Sequence, residues 1–199
     1  MSDYAQTFVS QVSRGAPLQA ALQDALQQET ELRRLFANMD SNNKVLNDHE
    51  PLAGLIDVFA ANEAIRVTQA RDASDQAKLE AEHVFPLKKE QRRSSGVPSM
   101  VADIDQFRNS WNVFTEGALS QLTDWNNVVA AGGSVLASLL PLPDHAKASK
   151  RALRKYFHEQ TYANSDVDLF LYDLTPEQAE KKAIQIYEAI RDSVPWGKC

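Results

Sequence analysis

Asn126-Asn-Val-Val-Ala-Ala-Gly132-Gly133-Ser134 and Ser165-Asp166-Val167-Asp168-Leu-Phe-Leu-Tyr172 are the two stretches that decide the fold. In the first, a short apolar run meets two glycines and a serine. That pattern predicts a buried strand over residues 126–132, a tight turn at Gly132-Gly133-Ser134, and a helix from Ser134 to about Leu140. In the second, carboxylates open a strongly apolar run, which predicts a strand over residues 166–172. Strand side chains alternate between faces, so Asp166 and Asp168 project to the same side. Two carboxylates on one side of a strand, facing a glycine turn, can hold a magnesium ion and a triphosphate together.

Glycines at a strand-to-helix turn let the backbone approach a ligand closely. The helix that follows points free N–H groups and the positive end of its dipole at that place. Ser134 can cap the helix or donate its hydroxyl to a phosphate oxygen. The plainer reading is a tight turn with Ser134 as N-cap. Carboxylates that open an apolar strand are costly unless exposed, paired or on a metal. Asp166-x-Asp168 offers Mg²⁺ two hard oxygens, and its plainer reading is an acidic surface turn. Residues 144–158 concentrate Lys147, Lys150, Arg151, Arg154 and Lys155 in an acidic protein. They read either as a solvated basic helix face or as a phosphate or acceptor contact, with Lys150 and Arg151 the candidates. His145 and His158 share this segment, but nothing in the sequence pairs them.

The 199 residues suit one domain or a domain and a half, and 43% apolar residues are ample for a core. A formal charge of −6 argues against strong nucleic-acid binding by the whole molecule, while leaving room for a local basic pocket. Cys199 is the only cysteine, so no intrachain disulfide can form, and the sequence shows no Cys/His cluster of the kind that holds structural zinc. The chain lacks a Walker A loop, a Gly-x-Ser-x-Gly elbow and a Gly-x-Gly-x-x-Gly fingerprint. Its start carries no signal peptide, and it has no apolar run of about 18 residues. The expectation is a cytoplasmic or nuclear protein with no membrane partner.

Leu18, Leu22, Leu26, Leu32, Leu35 and Phe36 predict an N-terminal helix, and the apolar pattern of residues 52–70 a second helical block. Residues 37–51 are turn-rich, and 71–82 read as a helix end or an exposed loop. Residues 86–99 read as a solvated linker or, more sharply, as a basic arm. A helix is expected through Phe107, Trp111 and Phe114, with a shorter one from Thr115 to about Trp125. Thr175-Pro176-Glu177-Gln178 is a capping box. It opens a helix whose face Ala179, Ala183, Ile186, Tyr187 and Ile190 should pack back on the sheet. The divisions expected are a helical region over 1–85, a linker over 86–100 and an α/β core over 101–199. The fold class is α+β, with the helical N-terminal region packed on a small mixed sheet.

At the glycine turn and the paired aspartates the chain resembles the nucleotidyltransferase superfamily, the fold of DNA polymerase beta. That family places a Gly-Gly or Gly-Ser turn at a helix start and Asp-x-Asp or Asp-x-Glu on the next strand. The longer phrases 32–37, 114–122, 125–133 and 165–171 resemble a group of fungal and protist proteins, some described through ankyrin repeats. The resemblance implies a nucleoside triphosphate on Gly132, Gly133 and Ser134, Mg²⁺ on Asp166 and Asp168, and nucleotidyl transfer to a protein, small-molecule or RNA acceptor.

Two features depart from the family pattern. Between Ser134 and Asp166 lie 31 residues, so the basic segment must loop out. The family's third carboxylate is expected beyond Cys199, which makes this chain a fragment or a degenerate copy, inactive alone. Two rival readings follow: a non-catalytic module that keeps the fold and uses residues 1–40 as a partner surface, or another phosphoryl-transfer enzyme on the same aspartates.

Overall fold

The computed structural model describes residues 3–38, 54–69 and 92–193. The chain divides into two compact units, Met1–Val97 and Pro98–Cys199. The turn-rich stretch past Asn38, the 71–82 segment, His49, His83, linker residues 86–91 and Cys199 lie outside the described residues.

In the first unit, α1 (Asp3–Ser13) and α2 (Leu18–Ala37) pack against each other. Gly15, at φ 79°, lets the chain reverse between them. Ala5, Val12 and Ala21 are buried, small or branched residues that let the helix axes approach. The leucine pattern of α2 is the helix that the sequence predicts. The second helical block does not form over residues 54–69, which hold turns and a short 3-10 helix, Glu63–Arg66. Local side chains explain the difference. Asp57 accepts from the Phe59 and Ala60 N–H groups, and Asn62 from that of Ala64. Such bonds offer the backbone an alternative to a helical ladder.

The second unit begins with α3 (Ile104–Phe114), capped by Asp103, whose carboxylate accepts from the Gln106 N–H at 2.8 Å. The short helix expected from Thr115 is instead a run of turns. Glu116 and Gly117 stand at φ 53° and 76°, a left-handed pair that no helix continues through. Strand β1 (Val128–Ala131) leads into α4 (Gly133–Leu139), followed by α5 (Asp144–Lys147) and α6 (Lys150–Lys155). A π-helical turn, Tyr156–Thr161, continues α6. Strand β2 (Asp168–Leu171) and the long α7 (Pro176–Ser193) complete the unit.

Helix and strand together place the chain in the α+β class. The sheet among the described residues is antiparallel, β1 against β2, and not the mixed sheet expected. Among the described residues only one of its faces is covered. Val128 is buried, whereas Val129 and its register partner Phe170 are exposed, so β1 is not the fully buried strand its composition suggests. The core lies beneath: Val113, Phe114, Ala137, Ala146, Leu153 and Phe157, with Tyr162 and Val167 packed against them. The Phe114 and Phe157 rings meet edge to face, 5.4 Å apart. Trp111 stacks on Phe107, while Trp125 is exposed.

The capping box forms. Thr175 N–H donates to Gln178 Oε1 at 2.8 Å, and Gln178 N–H to Thr175 Oγ1 at 3.3 Å. The inward face of α7 differs from the one expected. Ala183 and Tyr187 are exposed, and Lys182 is turned inward instead. The reason is an ion pair: Lys182 Nζ meets Asp124 Oδ2 at 2.7 Å. Ser193 Oγ donates to the Ala118 carbonyl at 2.6 Å, so both anchors of α7 reach the 118–124 segment. Among the described residues no helix is long and apolar enough to cross a membrane.

Candidate functional site

The antiparallel register carries the site. Val128 lies opposite Leu171 and Ala131 opposite Asp168, so the carboxylate end of β2 meets the glycine end of β1. Gly132 caps α4 at φ 77° and ψ −156°, a region that side chains other than hydrogen scarcely reach. Asp168 occupies the space a side chain would need there. A methyl group on Gly132 would collide with Asp168 Oδ2 and stand 3.5 Å from its Cγ. Gly133 is less confined, for a methyl group there would meet Ser165 Oγ at an ordinary 3.7 Å.

Val167 packs against the core, and both aspartates that flank it are exposed. Alternation along the chain produces this split. Neither carboxylate has a hydrogen-bond or ion-pair partner among the described residues. Asp166 lies just before β2 and Asp168 is its first residue. Asp173, another acidic residue nearby, stands exposed at φ 55° beyond the far end of β2.

Ser134 faces the other way. Its side chain is fully buried, and its hydroxyl donates to the Ala131 carbonyl at 3.4 Å. Ser138, one turn on, donates to the Ser134 carbonyl at 2.9 Å. The serine therefore braces the underside of the turn. Lys150 and Arg151 open α6, which packs on α3 and α5. Both are exposed, and neither makes a hydrogen bond or ion pair with the turn or the aspartates. The structure thus joins Gly132 to Asp168, directs Ser134 inward and sets Lys150 and Arg151 on a separate helix.

Among the described residues no group of three or more His, Cys, Asp or Glu side chains could hold a metal. Asp166 and Asp168 alone supply carboxylate oxygens, the hard ligands that Mg²⁺ takes together with phosphate and water.

Sequence reasoning missed Glu116, Arg154 and His158 as neighbours. Arg154 donates to Glu116 Oε1 from two nitrogens, at 2.8 and 2.6 Å, and His158 Nε2 stands 3.7 Å from the same oxygen. The spacing of Arg154 and His158 along one helix was readable; Glu116, 38 residues earlier than Arg154, was not. No protein-family model, no curated protein and no solved structure matches this chain.

Proposed function

We propose that the chain binds a nucleoside triphosphate with Mg²⁺ at the junction of β1, α4 and β2, and that this site serves nucleotidyl transfer. The observation that supports the reading is the seat of the Asp168 carboxylate over Gly132. Gly133, where a side chain would meet only Ser165 Oγ at 3.7 Å, leaves room for phosphate beside the turn. Asp166 and Asp168 hold the cation, which when bound neutralises phosphate charge. Ser134 keeps the turn in shape from below and does not touch the nucleotide. Lys150 and Arg151 are not needed for this site.

Calorimetric titration of the full chain with ATP or GTP plus Mg²⁺ tests the reading. Heat that depends on Mg²⁺ is expected for the native chain and is lost in Asp166→Asn with Asp168→Asn. A silent native chain, or a double variant that binds as the native chain does, overturns it.

An interaction module that keeps the fold is the second reading. The feature that favours it is α2, where Leu18, Leu26 and Phe36 are exposed. Absence of nucleotide heat, with Leu26→Ser and Phe36→Ser costing no stability, is the outcome that reading expects.

A further inference from the structure

Arg151, Arg154, Lys155 and His158 fall at i, i+3, i+4 and i+7, the spacing of one helical stripe. Apolar residues normally take that spacing, and like charges at i, i+4 destabilise an isolated helix. The protein as a whole carries a formal charge of −6, so the cluster runs against its balance. Here the opposite face holds the core residues Leu153 and Phe157, which anchors the helix and leaves the cations outward.

These four side chains and Glu159 line an open concavity of about 450 Å³. Arg154 is held by Glu116. Arg151 and Lys155 have no hydrogen-bond or ion-pair partner among the described residues. His158 Nε2 is buried with no hydrogen-bond partner, and its 3.7 Å to Glu116 Oε1 lies beyond hydrogen-bond reach. The π turn makes this arrangement possible. Tyr162 N–H bonds to the Phe157 carbonyl at 2.8 Å, five residues back. The wider turn buries Phe157 while His158 and Glu159 line the hollow. Turns of this kind are rare and recur at functional sites.

We propose that this concavity binds the phosphoryl group of a phosphate ester. Two unpaired cations, beside a third that a single carboxylate holds, call for a compact dianion with several acceptor oxygens. A single carboxylate would leave one cation unmatched. The volume falls in the range of small-molecule sites and exceeds what a lone phosphate fills. Glu159 at the rim can accept from a hydroxyl on the rest of the ligand. The site uses neither the glycine turn nor the paired aspartates, so it stands whether or not nucleotide binds there.

A soluble sugar phosphate and a phosphatidic acid headgroup share this chemistry. The full chain is therefore titrated with glucose 6-phosphate in EDTA, with glucose as control, and sedimented with phosphatidylcholine vesicles with and without phosphatidic acid. Binding in one arm identifies the source. In that arm Arg151→Ala with Lys155→Ala should lose about tenfold or more in affinity. Arg151→Lys with Lys155→Arg should retain binding, and so should Asp166→Asn with Asp168→Asn. Both replaced cations are exposed, and circular dichroism of the variants checks the fold. No binding in either arm, undiminished binding by the double alanine variant, or loss in the double asparagine variant overturns the proposal.

Discussion

The Asp168 carboxylate sits where a side chain on Gly132 would have to go. The register that pairs Ala131 with Asp168 produces this meeting, and the positive φ of Gly132 turns its missing side chain toward the carboxylate. The two glycines of the turn are therefore not equivalent.

Gly132→Ala should destabilise the fold by about 1–3 kcal/mol from backbone strain alone, and further from displacement of Asp168. Gly133→Ala, with ordinary contacts and no positive φ, should stay within about 0.5 kcal/mol of the native chain. Adding Asp168→Ala to Gly132→Ala removes the collision but leaves the strain. The double variant should cost less than the sum of the single ones by about 0.5 kcal/mol or more. Urea unfolding of the four variants measures this; strict additivity would show that the carboxylate does not press on the turn.

Phe157 is fully buried at the centre of the second unit and touches Phe114 and Tyr162. Phe157→Ala should cost about 3–5 kcal/mol, transfer and cavity terms together. A shift in the denaturant midpoint much smaller than that would mean the π turn can collapse into the gap.

Thr175→Ala removes the side-chain acceptor for the Gln178 N–H. About 1 kcal/mol of stability should go with it, seen as a fall in Tm of roughly 2–4 °C. Thr175→Ser keeps the oxygen and should restore most of the loss.

The hydrogen bond from the Lys182 ammonium holds the Asp124 carboxyl below its usual range, with a further bond from the Asn126 N–H. A carboxyl with a lowered folded pKa stabilises the protein above its unfolded value, near 4, and that contribution fades as pH falls through the lower folded value. The Tm of the native chain should therefore drop as the pH goes below about 4. Asp124→Asn should flatten that acid limb and leave the curve near pH 7 without a comparable slope. An acid limb with the same steepness in the variant would remove this pair from the account.

Much of the chain could be read from the sequence because the signals were local. The period of the α2 leucines, the paired valines of β1 and the alternation of Asp166, Val167 and Asp168 all act within a few residues. Thr175-Pro176-Glu177-Gln178 is the strongest case, since a capping box closes on itself. Local signals also misled. Apolar residues over 54–69 suggested a helix, but Asp57 and Asn62 satisfy the backbone in turns. The apolar pattern of α7 ran through Ala183 and Tyr187, yet Lys182 is drawn inward by a carboxylate 58 residues away in the chain.

By itself the sequence determined the mix of helix and strand, the glycine turn and an apolar strand that a carboxylate opens. Those features depend on backbone freedom and on the twofold alternation of a strand, both properties of adjacent residues. Only the tertiary structure decided that the strands run antiparallel, that Asp168 meets Gly132, that Ser134 turns inward, and that Arg151 and Lys155 share a hollow with His158. Register and burial depend on which distant surfaces the core brings together, and no local spacing encodes them.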